Sequence, residues 1–372
     1  MEPIRILHVI GGMNRGGAET MIMNFYRKID RNKVQFDFMV NTKEKCDYND
    51  EILSLGGNIY YIPKFNGLNF IQYKMSLRRF FKEHQEHKII HGHIGSSAAM
   101  YLHVANKYNK FTIAHSHNTK NSNKTLKSFL WRVYSYPTRY IANYFFGCSL
   151  AAGIDRFGKK VVHSSDFCVL NNAIDSKKFI FSDKTREEVR TDLSIQDKFV
   201  IGHIGRFDKQ KNHEFLIEIF NEFSKKIDNS VLLLVGDGDL RNQIEEKVKN
   251  LGLYESVIFA GVREDVPDLL QAMDVFVFPS LFEGLGIVVV EAQASGLPCV
   301  ISDKLPEESI LIDDLVTIQS LDQSAELWAE HIISRKGNER ISRCEEITAC
   351  GYDISETAKW LEEFYLEKYE RQ

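Results

Sequence analysis

Two glutamates eight positions apart, Glu283 and Glu291, carry the strongest chemical signal in the sequence. They flank the segment Gly284–Ile287, whose glycines allow backbone N–H groups to approach a ligand closely. The apolar residues that follow indicate a helix, and the N-terminus of a helix favours an anion. A carboxylate on that helix can accept hydrogen bonds from hydroxyl groups. The pattern predicts a site for a ligand with an anionic group and hydroxyls, although two solvated glutamates would show the same spacing.

Two cations, Arg206 and Lys211, lie in a polar segment directly after the apolar run Phe199–Ile204. A loop at the carboxyl end of a buried strand would hold both side chains near one edge of a sheet. A guanidinium can bind phosphate oxygens in bidentate fashion, and an ammonium acts as a point charge. The segment therefore favours a diphosphate site, with two solvated loop cations as the alternative.

In the first half of the chain, Gly16 and Gly17 lie between a strand-like run and a helix-like stretch. This segment has neither the Gly-Lys-Ser/Thr end of a P-loop nor the G-x-G-x-x-G spacing of a dinucleotide site, so it indicates either a close phosphate approach or a tight turn. His117 follows the apolar run Phe111–Ala114, at the strand edge where ligands of open α/β sheets bind. A histidine there can hydrogen-bond a sugar hydroxyl or transfer a proton.

Two patterns suggest metal ligands, and we expect no metal at either. Four histidines lack the Cys or carboxylate spacing that would support a zinc site. These are His91, His93, His115 and His117. Asp237 and Asp239 match the short D-x-D pattern of metal-dependent sugar transferases, but Asp and Gly are the ordinary residues of a strand-to-helix turn. We therefore predict no metal and no other cofactor.

The elements that must position these residues alternate along the chain. Short β-branched runs are separated by stretches with helix-spaced apolar residues, which is typical of parallel sheets covered by helices on both faces. The first series of predicted strands comprises Ile4–Ile10, Gln35–Val40, Ile59–Ile62, Lys88–His91, Phe111–His115 and Tyr144–Cys148. The second comprises Phe199–Ile204, Val231–Val235, Val257–Ala260, Val275–Phe278 and Pro298–Ile301. The fold class predicted is α/β, with two doubly wound, Rossmann-like domains.

A length of 372 residues also suggests two domains, with three as the alternative, since an ordinary domain has about 150. The strand-like run Phe167–Leu170 leads into charge-rich sequence with no clear pattern over 171–185, so we place the boundary there. The first domain is predicted to span 1–175 and the second 176–354. The final segment, 355–372, opens at Ser355, a favourable N-cap, and its aromatic stripe requires a surface to pack on.

Charge and composition limit the possible partners. The formal net charge of −4 argues against a nucleic-acid protein that works by bulk charge. No run of 18 apolar residues indicates a spanning helix, and scattered cysteines without a C-x-x-C pair favour a reducing cytoplasm. Residues 87–154 contain eight cations and no acid, interleaved with aromatic residues. This segment suits an anionic membrane surface, and a solvated face is the alternative.

Taken together, these residues resemble a retaining glycosyltransferase of family 4, which has the GT-B fold. The closer resemblance is to bacterial enzymes of capsule and exopolysaccharide assembly, and it covers nearly the whole chain. The motifs that carry it are Gly16–Glu19, His117, Gly205–Arg206, Lys211, and the pair Glu283 and Glu291, which matches the family's E-x7-E motif. Asn171-Asn172-Ala173 departs from the family's Pro-Asn-Gly, although Asn tolerates the left-handed backbone of a turn.

The resemblance implies roles for individual residues. Arg206 and Lys211 would neutralise the diphosphate of a nucleotide sugar, Glu291 would bind the ribose, and Glu283 would lie at the transferred sugar. Further donor contacts would come from Gly16, Gly17, Gly284, Leu285, Gly286 and Ile287. His117 would meet the sugar, so the catalytic set implied is Glu283, His117, Arg206 and Lys211.

The resemblance also implies an architecture and partners. Two domains would face a central cleft, and the final helix would cross back to the first domain. The reaction implied is a metal-independent transfer of a hexosyl or N-acetylhexosaminyl group, with UDP as the expected nucleotide. The acceptor would be a glycan or an undecaprenyl-diphosphate-linked oligosaccharide, met in the cytoplasm or on the inner face of the plasma membrane.

Three other functions fit parts of the same pattern. A nucleotide-sugar 2-epimerase shares the GT-B architecture and the diphosphate site but needs no acceptor. A non-catalytic nucleotide-sugar sensor is a second alternative, against which the intact set of charged residues speaks. A nicotinamide dehydrogenase is the weakest alternative, because the first strand-to-helix turn does not have its glycine spacing.

Overall fold

A computed structural model describes residues 2–117, 133–337 and 339–372 of the chain. These residues form two compact units, one comprising the chain up to Ile174 together with Asp353–Gln372, the other Asp175–Tyr352. The observed divisions differ from the predicted ones by one residue at the first junction (174 against 175) and by two at the second (353 against 355).

The first unit is built on a parallel sheet of seven strands, with the order β3-β2-β1-β4-β5-β6-β7. The strands are β1 Ile4–Val9, β2 Val34–Val40, β3 Ile59–Tyr61, β4 Ile89–Gly92, β5 Phe111–Ser116, β6 Tyr144–Gly147 and β7 Phe167–Val169. Each predicted strand end lies within one residue of the observed one, because these β-branched and aromatic runs are buried between helical layers.

Helices cover this first sheet. Those that the structure describes are Gly17–Lys28, Asn49–Ser54, Phe70–Glu83, Ala98–Asn106, Thr138–Ile141, Leu150–Phe157, Lys159–Val162 and Ile354–Glu370. No helix within 2–117, 133–337 and 339–372 is both long enough and apolar enough to span a bilayer.

The last of these helices, Ile354–Glu370, returns to the first unit and packs against β1, β2 and β4, which confirms the predicted crossing. It buries Leu361, Phe364 and Tyr365, while Trp360 stays 40% exposed. The prediction that Ser355 caps this helix is wrong. The side chain of Asp353 accepts hydrogen bonds from the backbone N–H groups of Ser355 (2.9 Å) and Glu356 (3.2 Å). Aspartate satisfies two otherwise unpaired donors there.

The second unit repeats the architecture with a parallel sheet of six strands in the order β10-β9-β8-β11-β12-β13. The strands are β8 Phe199–Ile204, β9 Ser230–Val235, β10 Val257–Gly261, β11 Val275–Phe278, β12 Cys299–Ser302 and β13 Val316–Gln319. The edge strand β13 was not predicted, because polar Thr317 and Gln319 interrupt its apolar residues.

The helices described in the second unit are Asp183–Asp192, His213–Ser224, Arg241–Asn250, Val266–Ala272, Ile287–Ala294, Ala325–Ile333 and Cys344–Ala349. The charge-rich sequence near the junction, expected to lack structure, begins the first of them. Two cations of this helix, Arg186 (2.5 Å) and Arg190 (2.7 Å), both pair with the distant Asp274. Charges that look solvated in the sequence therefore anchor a helix.

In each sheet the strand order reverses beside the first strand of the unit, between β1 and β4 and between β8 and β11. Loops that leave the carboxyl ends of two such strands run to opposite faces of the sheet and leave a crevice between them. This topology explains how residues distant in sequence are brought together at the sites described below.

Candidate functional site

In the second unit, the structure joins two of the predicted site residues directly. The ammonium of Lys211 lies 2.6 Å from Oε1 of Glu283, and the two side chains are only 17% and 7% exposed. Gln210 donates a hydrogen bond from its side-chain nitrogen to Oε2 of the same carboxylate at 3.0 Å. The ammonium also lies over the ring of Phe278, 4.6 Å from its centre. Lys211 is thus oriented before any ligand is bound.

The loops after β8 and β11 are tied together by backbone contacts. The N–H of Leu281 donates to the carbonyl of Gln210 at 2.8 Å, and the Asn212 side chain donates to the carbonyl of Pro279 at 3.1 Å. Asn212 itself has a left-handed backbone, with φ 57°. Asparagine tolerates that conformation better than most residues, so the polar segment can turn sharply into the helix that starts at His213.

The loop between Glu283 and the helix Ile287–Ala294 is buried, and it ends at Gly286 with φ 78° and ψ 54°. Gly286 occupies the N-cap position, where only glycine adopts this left-handed conformation without strain. Backbone N–H groups at the start of the helix have no partner within it and can donate to an anion.

Glu291 lies on this helix, one turn after its start. Burial raises the pKa of its carboxyl group to about 7. A carboxyl group that titrates near neutrality and is partly removed from water can accept hydrogen bonds from ligand hydroxyls once it is ionised.

Arg206 lies in the loop after β8 and is exposed, so it is free to extend toward a ligand. Close packing beneath it depends on Gly238, where an added Cβ would lie 3.0 Å from Cγ of Arg206 and 2.6 Å from the carbonyl oxygen of Phe207. The aspartates on either side behave as turn residues. Asp237 accepts a hydrogen bond from the Gly238 N–H at 2.8 Å and lies 3.7 Å from the Arg241 guanidinium.

In the first unit, the glycine pair opens the first helix. Gly16 is its N-cap and Gly17 its first residue. An added Cβ at Gly17 would have no heavy atom within 4 Å, which leaves that side of the turn open. The preceding residues are held by Asp47, whose carboxylate accepts from the Arg15 N–H at 3.0 Å.

Five histidines meet at the carboxyl edge of the first sheet, around the β1–β4 reversal. Ring nitrogens of His8 and His93 lie 3.0 Å apart, those of His93 and His117 2.8 Å, and those of His91 and His115 3.2 Å. His91 also contacts the hydroxyl of Tyr365 at 2.6 Å. Two groups of three have ring nitrogens within 4.8 Å of one another, His8 with His91 and His93, and His93 with His115 and His117.

Burial dominates the electrostatics of this cluster. It lowers the pKa of His8 to about 3 and that of His117 to about 4. Burial, with smaller contributions from neighbouring imidazoles, holds the pKa of the other three well below the ordinary value of histidine. The rings are therefore neutral at pH 7, the form in which one nitrogen donates and the other accepts.

Sequence reasoning missed Gln210, His8 and Tyr365. His8 carried a signal, because it is the residue before the end of β1 and pairs in register with His91 of β4. Gln210 adjoins a predicted cation but is a common loop residue. The sequence predicted only that Tyr365 belongs to the aromatic stripe of the final helix. Nothing in the sequence relates it to His91, 274 positions away.

The acid-free segment 87–154 is only partly a cationic surface. Lys110 is buried, and its ammonium donates to the carbonyl of Gln85 at 3.0 Å. Lys88 lies over the ring of Tyr369, 4.4 Å from its centre, and Arg139 over that of Tyr136 at 4.0 Å. Lys107 is exposed. The other four cations, with Phe129, Leu130 and Trp131, lie outside the described residues; they are Lys120, Lys124, Lys127 and Arg132.

The chain is similar to known proteins along its whole length. A family model described as "Glycosyl transferases group 1" matches residues 185–347. The putative glycosyltransferase EpsF of Bacillus subtilis (strain 168) is 37% identical over 363 residues, covering 95% of this chain and 94% of its own. A UDP-Gal:alpha-D-GlcNAc-diphosphoundecaprenol alpha-1,3-galactosyltransferase of Escherichia coli is 34% identical over 139 residues, 36% of each chain.

A solved structure shares the fold. Anabaena HepE, crystallised with UDP and glucose, superimposes with a TM-score of 0.74 at 20% identity, covering 96% of this chain and 94% of that one.

Proposed function

The chain belongs to the group 1 glycosyltransferases of GT-B fold, and from that premise we propose that it transfers a sugar from a UDP-sugar to a hydroxyl of a glycan or undecaprenyl-diphosphate-linked acceptor. The observation that carries this proposal is the Lys211–Glu283 pair beside the buried glycine loop at the β8–β11 reversal. It combines a fixed cation, backbone donors and a carboxylate, which are the groups that a nucleoside diphosphate bearing a sugar requires.

We assign roles on that geometry. Arg206 and Lys211 neutralise the diphosphate, Glu291 accepts from the ribose hydroxyls, and Glu283 faces the transferred sugar while it orients Lys211. The N–H groups of Gly284, Leu285, Gly286 and Ile287 lie in the loop that approaches the phosphates. On the first unit, Gly16 and Gly17 are proposed as donor contacts, and His117 as a contact of the sugar.

The chemical step proposed is a retaining transfer without a metal. When the glycosidic bond to phosphate breaks, negative charge develops on the leaving diphosphate, and preorganised donors that meet it lower the barrier. Lys211, held in place by Glu283, and the helix N-terminus can supply this stabilisation. The departing phosphate then takes the proton of the acceptor hydroxyl, and the acceptor oxygen bonds to the anomeric carbon on the face that the phosphate leaves. The sugar transferred is a hexose or an N-acetylhexosamine.

Metal independence is testable by chelation. EDTA is expected to leave turnover largely intact, because cations and backbone donors meet the phosphate charge. Loss of activity on chelation, restored by Mg²⁺ or Mn²⁺, would contradict this and implicate Asp237 and Asp239.

The acceptor is proposed from chemistry and from the relatives. The Escherichia coli relative acts, by its name, on a sugar linked to diphosphoundecaprenol, and capsular enzymes are among the other relatives. Such an acceptor lies in a membrane, so the enzyme must reach the bilayer surface while its donor comes from solution. We therefore propose a role in surface polysaccharide synthesis with peripheral binding to an anionic membrane.

The structure supplies a surface that supports membrane binding. Leu68 (94% exposed) lies just before the helix Phe70–Glu83, and Ile71 (73%) and Met75 (63%) lie in its first two turns. All three are in a stretch without Asp or Glu from 52 to 82. The ring of Phe65 contacts that of Tyr134, with centres 5.7 Å apart, and this joins the stretch to the acid-free segment. Exposed apolar side chains flanked by cations suit the interface of an anionic bilayer.

One experiment tests the enzymatic proposal. Release of UDP is measured with a panel of UDP-sugars, with and without a lipid-diphosphate-linked glycan acceptor. The proposal expects release that depends on acceptor, together with a glycosylated lipid product. UDP release with free sugar and no acceptor dependence would support an epimerase instead, and binding without turnover would support a sensor.

A further inference from the structure

The five histidines and Tyr365 form two separate hydrogen-bonded chains in the first unit. The Tyr365 relay runs from Tyr365 to His91 and on to His115, and the His8 relay runs from His8 to His93 and on to His117. Among the described residues, His8 Nε2, His115 Nε2 and His117 Nδ1 have no hydrogen-bond partner. Each relay thus ends on a nitrogen at the carboxyl edge of β5.

A neutral imidazole carries one proton, so hydrogen bonds in such a chain must all run in one direction. If the proton of one ring moves from Nδ1 to Nε2, every ring linked to it must follow. The identity of the first group therefore determines whether the last ring presents a donor or an acceptor.

The Tyr365 relay has a defined direction. The pKa of the Tyr365 phenol is raised well above its ordinary value by burial, so the hydroxyl carries its proton. The hydroxyl contacts Nδ1 of His91, and donation to that nitrogen leaves no buried hydroxyl proton unpaired. His91 then donates from Nε2 to Nδ1 of His115, and His115 ends the relay as a donor at Nε2.

The direction of the His8 relay follows from the surroundings of its two end rings. His8 is 2% exposed and packs against Phe36 and Phe38, with ring centres 4.2 and 5.7 Å away. A proton on either end nitrogen, Nε2 of His8 or Nδ1 of His117, would be a donor without a partner among the described residues. His8 is enclosed by aromatic rings, whereas His117 is partly exposed at the carboxyl edge of β5, where a ligand can supply the acceptor that such a donor requires. The proton of His8 therefore lies on Nδ1, which faces Nε2 of His93. His93 in turn donates from Nδ1 to Nε2 of His117.

We infer that His8 and His93 are positioning residues that hold His117 with its proton on Nδ1, so that it offers an N–H to a hydroxyl oxygen of the transferred sugar. The inference rests on the proposed function in one respect, that His117 contacts the sugar. His93 can act this way because its own backbone is fixed, its N–H donating to the carbonyl of Val9 at 2.9 Å.

The first test reads the tautomer directly and does not depend on activity. In protein labelled with ¹⁵N-histidine, two-bond ¹H–¹⁵N correlations show which ring nitrogen carries the proton, and the signals of His117 are those lost in His117→Gln. We expect a protonated Nδ1 and a bare Nε2 for His117 in the wild type. A proton on Nε2, or an imidazolium at pH 7, would overturn the inference.

Substitution of His93 gives the second test. The side-chain nitrogen of Asn can replace Nδ1 of histidine, so His93→Asn should keep His117 in the Nδ1–H form, whereas His93→Leu should allow both tautomers. Tyr365→Phe is the matched control in the other relay and should leave the His117 tautomer unchanged. If Tyr365→Phe altered His117 as much as His93→Leu does, the two relays would not be separate and the inference would fail.

The third test separates positioning from folding. His93→Leu should bind UDP as the wild type does but show a KM for the UDP-sugar raised by about fivefold, the effect of one hydrogen bond, and His93→Asn should restore it. Equal weakening of UDP and UDP-sugar without rescue by Asn would indicate a merely structural role. If the wild type uses no UDP-sugar, the proposed function fails while the tautomer measurement still decides the relay.

Elemental analysis of the purified protein is a further test, because the ring nitrogens of these histidines are close enough together to hold a metal ion. A transition metal bound stoichiometrically to the wild type and absent from His93→Asn would overturn the relay, since a coordinated nitrogen carries no proton. Purified protein without such a metal supports it.

Discussion

At the scale of single residues, Lys211 shows how the site is prepared for an anion. Its pairing with Glu283 holds the ammonium in one place before any ligand binds, and we propose a diphosphate as that ligand. Arg206→Ala and Lys211→Ala should each lower kcat/KM by about 10²-fold or more, since one preorganised charged donor contributes about 3 kcal/mol in a dry site. Steady-state kinetics of UDP release measures this. Lys209→Ala, an exposed neighbour in the same loop, is the matched control and should be near wild type. Near wild-type turnover in either of the first two variants would remove that residue from the diphosphate site.

Glu291 leads to a second prediction at this scale, that the affinity for UDP depends on pH. Burial raises the pKa of its carboxyl group to about 7, so the group is mostly protonated at pH 6 and mostly ionised at pH 8. An ionised carboxylate accepts stronger hydrogen bonds from ribose hydroxyls, so the affinity for UDP should rise about fivefold across this range. Calorimetric titration at several pH values measures it. The diphosphate also titrates, and Glu291→Gln isolates that background; a variant with the same pH dependence as the wild type would exclude Glu291.

Ionisation of Glu291 should affect folding in the opposite direction: a rise in pH strengthens UDP binding but lowers the free energy of unfolding. Because the pKa is raised in the folded protein, the unfolded chain releases the proton first, near 4.5, and stability from this group is lost as the pH rises toward and through 7. Ligand hydroxyls that bind the carboxylate offset this loss. Thermal stabilisation by UDP should therefore be larger at pH 8 than at pH 6.

At the scale of elements, the returning helix Ile354–Glu370 depends on its first turn. Asp353 accepts two backbone hydrogen bonds there, while the side chain of Ser355 has no capping role. Replacing a capping Asp with Ala costs about 1 kcal/mol, so Asp353→Ala should speed hydrogen exchange in the helix about fivefold. Ser355→Ala is the control and should change it little. Equal effects of the two substitutions would show that the cap is not where the structure places it.

At the scale of the whole molecule, two stretches without acid suit one anionic surface. Each Lys or Arg near such a surface contributes about 1 kcal/mol, so a few engaged together suffice for reversible binding. Changing Lys120, Lys124, Lys127 and Arg132 to Glu, or Leu68, Ile71 and Met75 to Ser, should abolish co-sedimentation with anionic liposomes. Binding by the wild type should weaken between 0.1 M and 1 M salt, as the Debye length falls from about 10 Å to about 3 Å.

The control for this experiment comes from the second unit. Leu251 and Tyr254 are also exposed apolar residues, 40% and 58%, and their change to Ser should leave liposome binding intact. If all variants sediment like the wild type, the basic segment is a solvated face or a groove for the acceptor diphosphate that acts without the bilayer.

By itself the sequence determined the architecture and the candidate residues of the proposed donor site. Apolar runs buried on both sides give strands whose ends can be placed within one residue, because the signal is local and continuous. Motif spacing and position after predicted strands singled out Glu283, Glu291, Arg206 and Lys211 as candidates for that site. The edge strand β13 was not predicted, since two of its four residues are polar. The helix Asp183–Asp192 was not predicted either, because it is rich in charge and is anchored by the distant partner Asp274.

Only the tertiary structure decided which side chains meet. The ion pair between Lys211 and Glu283 spans 72 positions, and the contact between His91 and Tyr365 spans 274. Such pairings depend on the strand order, on the point where that order reverses and on where the last helix packs. None of these features produces a periodic pattern in the sequence. The histidines illustrate the limit, because their spacing resembles a metal motif, whereas directional hydrogen bonding between buried neutral rings follows only from their distances and burial.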